Sequence, residues 1–348
     1  LAGGPYTNMV FPEAKPEEWL NCDQCTDCFK PAFNYRPKQS AQYALAISNF
    51  DNGKDFPRRY NFGFIASTDD HTARPGTGYK QYERRKMTFA TGVKSKMWEY
   101  QNEAEDPNFP ELPKIIPGEA SPDSERVSSF VYPGGILAVH SEGRSNDQIW
   151  AALKNKNVYG TSGPRILLWF DIVNSPSGKQ PMGSEITMSQ NPKFVVRAAG
   201  SFKQKEGCPV ESIDSLSPKR LEYLCAGECY NPSNERHIIE RIEVIKITPQ
   251  VYAGEAISPL IQDVWKTLSC KGQSECSVEF EDENYSRDSI YYVRAIQEST
   301  PAINGENTLA GSEEFKLCKG SFRTDLADNC LSEANERAWS SPIYLNKP

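Results

Sequence analysis

The stretch IIERIEVIKI, residues Ile238–Ile247, places apolar side chains at alternate positions such as Ile242 and Val244. Successive side chains of an extended strand point to opposite faces of a sheet, so this period of two predicts a β-strand. Helical patterns are nearly absent after residue 170, and residues 171–348 are therefore predicted to form a β-rich, sandwich-like antiparallel domain. Three further runs have the same character: FVVRAAG (Phe194–Gly200), CSVEFE (Cys276–Glu281) and SIYYVRAIQ (Ser289–Gln297).

The region upstream of residue 170 has a different pattern of apolar and polar residues. GGILAVHSE (Gly134–Glu142) is apolar and then polar, as expected of a strand and the turn after it. Ser145 and Gln148 have the spacing of a capping box, which predicts a helix beginning there. A strand is predicted again in VYGTSGPRILLWFDIV (Val158–Val173). A strand, a helix and a strand in succession predict an α/β fold for residues 1–170.

The stretch FIASTDDHTARPGTGYK, residues Phe64–Lys80, contains one of only three histidines in the chain. Asp69 and His71 are two residues apart, so at an extended strand end both side chains would point the same way and could bind one divalent metal. Asp70 would point away, reach a second metal or orient a ligand. The alternative is that Asp69 caps a turn and His71 is a surface residue.

His140 and Glu142 repeat this arrangement at the end of another apolar stretch, which makes them further candidate metal ligands. The alternative for His140 is a half-buried histidine that already has its hydrogen bonds. His237 precedes the IIERIEVIKI strand and is interpreted as structural.

Basic residues follow the Asp-Asp-His sequence. Arg74 and Lys80 flank glycines that let a backbone approach an anion closely, so they are candidate ligands of a small anionic substrate. Arg165 follows a Gly-containing turn and could face the same cavity. The alternatives are a solvated basic turn for the first two and a salt bridge at the rim for Arg165.

The cysteines indicate the compartment. An even number in loop-like sequence suggests disulfides and a periplasmic or extracellular location. The alternative is a metal site on the Cys-x-x-Cys-x-x-Cys triplet near the beginning of the chain. The ten disulfide candidates are Cys22, Cys25, Cys28, Cys208, Cys225, Cys229, Cys270, Cys276, Cys318 and Cys330.

The totals exclude some classes of partner. The formal net charge of the 348 residues is −7, and no broad basic surface is apparent, which argues against nucleic acid. No segment approaches the roughly 20 apolar residues that cross a bilayer. The first residue is Leu1 and no signal-peptide pattern follows, so we expect the chain to be processed or to be part of a longer one.

STDDH (Ser67–His71) resembles motif four, Ser/Thr-Asp-x-His, of the PHP (polymerase and histidinol phosphatase) superfamily. Five segments together resemble the C-terminal half of a large uncharacterised PHP-like family, which is catalogued as a domain of unknown function and related to carbaryl-hydrolase-type metallohydrolases. The segments are FGFIASTDDHTARPGTGYK (62–80), YPGGILAVHSE (132–142), ALKNKNVYGTSGPRI (152–166), IYYVRAIQESTPAIN (290–304) and ERAWSSPIYL (336–345).

The resemblance implies a partial, distorted (β/α)7 barrel in residues 1–170, followed by the β-rich segment. It implies two or three divalent ions (Zn, Mn or Fe) with Asp69 and His71 as ligands, and it places Glu142 at an acidic position after the Gly-Gly strand. The first motif of the superfamily, His-x-His, does not occur in this chain. The resemblance therefore implies an N-terminal half that lies in a longer protein or a separate chain or was lost; otherwise this fragment does not assemble the full metal site.

Two functions follow as hypotheses. The first is a metal-dependent hydrolase of phosphoesterase type, in which metal-activated water attacks an anionic ester. Asp70 and Arg165 would be catalytic, and Arg74 and Lys80 would hold the substrate. The second is a non-catalytic extracellular binding or structural protein built on a degenerate PHP scaffold.

Overall fold

β-Strands make up most of the computed structural model, which describes residues 40–51, 57–67, 135–225, 227–303 and 331–348. The helices are α1 (Ala41–Ala46), α2 (Asn146–Lys154), α3 (Val210–Ser215) and α4 (Pro218–Cys225), with a 3₁₀ turn at Ser258–Leu260. The strands are β1 (Ser48–Asn49), β2 (Arg58–Arg59), β3 (Ile136–Val139), β4 (Val158–Thr161), β5 (Leu167–Ser175), β6 (Gly178–Pro181), β7 (Glu185–Thr187), β8 (Lys193–Ala199), β9 (Phe202–Gln204), β10 (Pro232–Arg236), β11 (Ile239–Ile247), β12 (Ile261–Gln273), β13 (Glu275–Glu281), β14 (Ser289–Ile303), β15 (Leu331–Ser340) and β16 (Ile343–Asn346).

The strands form two large sheets. The first has eight strands: β12, β11, β14, β15, β4 and β3 lie side by side, β16 pairs with β14, and β7 pairs with β16. The second has four strands in the order β13, β8, β5, β6. The remaining described strands form two small two-stranded ribbons, β1 with β2 and β9 with β10.

The main hydrophobic core lies between these two sheets. Ile242, Val244 and Tyr291 of the eight-stranded sheet belong to the same buried cluster as Phe170 and Phe194 of the four-stranded sheet. The rings of Phe170 and Phe194 stack with their centroids 5.4 Å apart. Burial of these large apolar side chains is the dominant stabilising contribution in a fold of this kind.

A second cluster covers the opposite face of the eight-stranded sheet. Ile245 and Ile247 of β11 pack there with Leu45 of α1, and Phe62 and Phe64 pack against the same cluster. Strand β11 is therefore buried on both faces. This explains why all six residues after Arg241 are buried, the charged Glu243 and Lys246 among them.

The predicted barrel is wrong. Strands β3 and β4 are antiparallel neighbours, with Val139 opposite Val158 and Ile136 opposite Thr161. A (β/α) barrel requires parallel neighbouring strands, and among the described strand pairs only β7 and β16 run parallel. Helix α2 leaves one end of β3 and returns the chain to the same end, so it does not cross over the sheet. In its described residues the protein is mostly β, with several sheets and no barrel.

Several local predictions are confirmed. The four β runs that alternate in sequence correspond to β8, β11, β13 and β14. Helix α2 begins with the predicted capping box: the Ser145 side chain accepts from the backbone of Gln148, whose own side chain accepts from the backbone of Ser145. The division of the chain at residue 170 stays a prediction. Strand β5 runs across that residue, and β4 pairs with β15.

Candidate functional site

The extended segment 61–67 leads toward the predicted metal motif. The backbone N–H of Phe62 donates to the Tyr344 hydroxyl at 2.9 Å, and that of Phe64 donates to Ser341 Oγ at 3.0 Å. At the far end, the N–H of Gly135 donates to the Ser67 carbonyl at 2.7 Å. These bonds fix the segment against the eight-stranded sheet up to two residues before Asp69.

Glycines make this close approach possible. A Cβ built on Gly135 would lie 2.6 Å from the Cβ of Ala66, and one built on Gly160 would lie 2.9 Å from the same atom. Carbon atoms in ordinary contact lie about 3.5–4.0 Å apart, so larger residues here would push the segment off the sheet. The two glycines therefore keep a channel in which segment 61–67 lies.

Five predicted site residues fall outside the described residues. They are the candidate ligands Asp69 and His71, the candidate catalytic residue Asp70, and the candidate substrate ligands Arg74 and Lys80. Their roles stay predictions.

His140 lies within the described residues and is engaged by the protein itself. Its Nε2 lies 2.8 Å from the Leu168 carbonyl oxygen, and because a carbonyl can only accept, Nε2 carries the proton. The ring also packs beside Tyr159 and Trp169, with centroids 5.3 and 5.8 Å away. A protonated Nε2 cannot itself bind a metal, so only Nδ1 of His140 could serve as a ligand, and that role stays a prediction. This geometry is the half-buried, hydrogen-bonded alternative foreseen for His140.

Glu142 is exposed, and it does not join His140 in a group of metal ligands within the described residues. Strand β3 ends at Val139 and residues 142–145 bend, so the rule that places residues two apart on one face does not apply. His140 and Glu142 also follow the end of β3, whereas Ser67 is hydrogen-bonded to Gly135 at the beginning of that strand. Five extended residues separate Gly135 from His140, a distance of about 16 Å, so His140 lies far from Ser67.

Arg165 is exposed, and its guanidinium lies over the ring of Tyr230 at 3.8 Å from the centroid. Stacking of this kind stabilises a surface contact by about 0.5–1 kcal/mol. It ties the turn before β5 to the segment that precedes β10. The catalytic role suggested for Arg165 stays a prediction.

Tyr159, the neighbour of His140, is also a structural residue. Its hydroxyl donates to the Ile166 carbonyl at 3.1 Å, and burial raises the pKa of this tyrosine to about 12. The phenol therefore stays protonated at neutral pH and cannot act as a base. The end of β3 carries no described acid–base pair of the type that the His140–Glu142 pattern suggested.

One polar cavity, of about 340 Å³, is lined by residues of β2, β14 and β16. Its cation Arg59 pairs with Asp288, and its carboxylate Glu185 accepts from Asn61 Nδ2 at 2.7 Å. Because its cation is already paired and its lining carries the carboxylates Glu185 and Asp288, the cavity does not have the character of an anion-binding site.

The chemistry that the structure does bring together is a group of three cysteines. Cys208 and Cys229 form a disulfide, and the Sγ of Cys225 lies 2.9 Å from that of Cys229 and 3.6 Å from that of Cys208. Cys225 is buried and is a free thiol, so its prediction as a disulfide cysteine is wrong in this structure. The three sulfur atoms lie within 4.8 Å of one another and could hold a metal ion once the disulfide is reduced.

A second disulfide joins Cys270 of β12 to Cys276 of β13. These two pairs bear out the prediction that the chain contains disulfides. The remaining five candidates lie outside the described residues: Cys22, Cys25, Cys28, Cys318 and Cys330.

Sequence spacing grouped Cys225 with Cys229 and left Cys208 apart. The structure joins Cys208 to Cys229 because β9 and β10 pair as a ribbon and bring the two ends of the intervening segment together. The only sequence signal for this was the pair of polar, β-like stretches on either side of the cysteines. Connectivity of this kind does not follow from spacing alone.

Comparison with known proteins gives a family match over part of the chain. A family model described as "Protein of unknown function (DUF3604)" matches residues 54–206. That range contains the Asp69–Lys80 region, His140, Glu142 and Arg165, and it ends before Cys208. No curated protein and no solved structure matches the chain.

None of the described helices has the length and apolar character that crossing a bilayer demands.

Proposed function

We propose that the chain is a metal-dependent hydrolase of small anionic esters, with its chemistry in the Asp69–Lys80 region. Asp69 and His71 are the proposed ligands, joined by further ligands from an upstream His-x-His motif in a longer protein or a separate chain. Arg74 and Lys80 are proposed to hold the substrate, and Asp70 and Arg165 to assist the reaction.

One observation carries this proposal. The Gly135–Ser67 hydrogen bond and the glycine channel anchor the chain two residues before Asp69 against a rigid sheet. Functional side chains on well-supported elements keep the accurate positions that ligand binding requires. His140 and Glu142 do not fit as described ligands, and we leave them out of the proposed ligand set.

We further propose a periplasmic or extracellular location. Two disulfides and the lack of a membrane-spanning helix among the described residues are compatible with a secreted protein. Disulfides persist in oxidising compartments and are rare in the cytosol.

The second candidate function is a non-catalytic extracellular binding or structural protein. It is favoured by the described end of β3, where His140 and Glu142 do not form a group of metal ligands with other described residues. In that case the two packed sheets and their disulfides would themselves provide the binding or structural function.

Metal analysis separates the two when it is made on the native protein purified together with the N-terminal half, or the separate chain, that supplies the upstream His-x-His motif. If the first proposal is correct, the wild-type protein contains stoichiometric metal, and the variant with Asp69→Ala and His71→Ala loses it together with hydrolysis of a nitrophenyl phosphate. Circular dichroism checks that the variant is folded. His140→Phe is the matched control and should retain the metal.

Two results would contradict the hydrolase. Wild-type protein without metal or hydrolysis favours the non-catalytic function. Metal that survives the double change but disappears with Cys225→Ser would place the ion at the cysteine group instead.

A further inference from the structure

The three cysteines lie in one excursion of the chain, residues 205–231, which connects β9 to β10. The Lys205 N–H donates to the Asn231 carbonyl at 2.7 Å, which closes the base of the excursion just outside the Cys208–Cys229 disulfide. Helices α3 and α4 form its body, and Cys225 is the only buried residue they contain.

The local backbone explains why three sulfurs meet. Helix α4 ends at Cys225, and Gly227 has a φ of 73°, a left-handed conformation that glycine adopts readily. The Glu228 N–H then donates to the Cys225 carbonyl at 2.7 Å, so the chain turns back and places Cys229 beside Cys225. Gly207, also with a φ of 73°, lies directly before Cys208, which approaches Cys225 and Cys229 from the N-terminal end of the excursion.

The resulting arrangement is that of a thiol next to a disulfide. Cys225 Sγ is 2.9 Å from Cys229 Sγ and 3.6 Å from Cys208 Sγ, so it lies in contact with the disulfide but beside the bond rather than in line with it. A rotation of the Cys225 side chain would bring its sulfur into line for attack. A thiolate exchanges with a disulfide by attacking one of its sulfurs. The structure thus holds an attacking group and its target together without any other molecule.

We propose that Cys208, Cys225 and Cys229 form an internal thiol–disulfide exchange site in which Cys225 attacks Cys229. The Cys225 thiol loses its proton, and its sulfur forms a bond to the Sγ of Cys229. The Cys208–Cys229 bond breaks, and Cys208 leaves as a thiolate that takes up a proton. One disulfide and one thiol are present before and after, so no oxidant or reductant is needed.

The exchange changes both the crosslink and the accessible thiol. The disulfide that spans 21 residues is replaced by one that spans four, so the base of the excursion is no longer covalently closed. The free thiol moves from Cys225, which is 7% exposed, to the half-buried Cys208. A protected thiol is thereby converted into one that can be modified from solvent.

Trapping with a maleimide tests this directly. The full-length protein is held with excess reagent at about pH 8.5, where thiolates are abundant, and is then acidified and digested without reduction. Trypsin cleaves after Lys205 and Lys219, which isolates Cys208, and a glutamate-specific protease cleaves after Glu228, which separates Cys225 from Cys229. Mass spectrometry then locates the label and the disulfide.

We expect the label to accumulate on Cys208, with a disulfide between the Cys225 and Cys229 peptides. Cys225→Ser removes the attacking group and should abolish labelling of Cys208, while leaving the Cys208–Cys229 disulfide and the fold intact. The Cys270–Cys276 pair in the same digest is an internal control, because it should stay linked and unlabelled.

Three results would overturn the proposal. Label confined to Cys225 means that the sulfurs do not exchange. Equal labelling of Cys208 in the Cys225→Ser variant means that another cysteine is the attacking group. Label on Cys229 means that Cys208 is the sulfur attacked. A Cys208→Ser variant adds a second test, since it should form the Cys225–Cys229 disulfide, and its failure to do so would also contradict the proposal.

Discussion

At the scale of single residues, the most consequential group is a buried ion pair between the two sheets. Lys246 of β11 donates to Asp282, which follows β13, and the side chains are only 9% and 2% exposed. Tyr291 of β14 also donates to Asp282, at 2.5 Å. Burial opposes ionisation of Asp282, yet the hydrogen bonds from Lys246 and Tyr291 hold the pKa of this carboxyl below its usual value.

Removing one member of this pair should therefore destabilise the fold strongly. For Lys246→Met we expect a loss of about 3–5 kcal/mol in the free energy of unfolding, because the Asp282 charge would stay buried without its partner. Urea unfolding monitored by circular dichroism gives the value. Replacing both residues by apolar ones should recover much of the loss, whereas a double variant as unstable as the single one would contradict this account.

The same pair predicts how stability depends on pH. A carboxyl whose pKa is lower in the folded state binds fewer protons there than in the unfolded state, so it stabilises the fold above the ordinary pKa of 3.8. This contribution is lost as the pH falls below about 4 toward the folded pKa. We expect the unfolding free energy of the wild-type protein to fall more steeply there than that of Asp282→Asn. Parallel curves would show that Asp282 does not contribute.

His140 gives a third prediction at this scale. His140→Phe keeps a ring beside Tyr159 and Trp169 but removes the donor to the Leu168 carbonyl, so we expect a loss of about 1 kcal/mol in unfolding free energy. Bound metal should not change. A loss of metal without a loss of stability would restore His140 as a ligand.

At the scale of secondary-structure elements, the glycine channel couples segment 61–67 to the sheet. Gly160→Ala would bring a Cβ to 2.9 Å from that of Ala66, so we expect a loss of about 1–3 kcal/mol in unfolding free energy and a displaced segment. The compensating variant, Gly160→Ala with Ala66→Gly, removes that contact and should recover part of the stability, because the backbone nitrogen of residue 66 would still lie 3.1 Å from the added Cβ. If both variants are equally unstable, the channel does not depend on this contact.

The elements also show what sequence could and could not predict. The capping box at Ser145 and the strand periodicity of β11 are local, because each depends on residues a few positions apart. The direction of pairing between β3 and β4 is not local, and a strand–helix–strand pattern suits both a crossover between parallel strands and a return between antiparallel ones. The metal site inferred at His140 depended on an extended chain, whereas β3 ends at Val139 and the chain bends from Glu142 onward.

At the scale of the whole molecule, the two described disulfides close short stretches of chain, with sequence separations of 21 and 6 residues. Cys270–Cys276 joins β12 of the eight-stranded sheet to β13 of the four-stranded sheet, and Cys208–Cys229 closes the excursion between β9 and β10. In the chain-entropy account, closing a loop of this second size stabilises the fold by about 3 kcal/mol. Neither pairing could be assigned from the spacing of ten cysteines, because pairing depends on how the strands bring them together.

Thiol counting tests this arrangement in the intact protein. Two disulfides use four of the ten cysteines, so at most six can react when the unreduced protein is unfolded and alkylated. Internal exchange among Cys208, Cys225 and Cys229 conserves the number of thiols, and it therefore leaves this limit unchanged. Intact mass spectrometry gives the number of added groups.

Two single variants separate a free cysteine from a bonded one. Cys225→Ser removes a free thiol, so the count should fall by one, and the Cys208–Cys229 disulfide should stay intact. Cys270→Ser removes a bonded cysteine and releases its partner Cys276, so the count should rise by one. A wild-type count of ten would refute the disulfides altogether. A fall with Cys270→Ser would refute the bond between the two sheets, whose apolar core and buried Lys246–Asp282 pair would still join them.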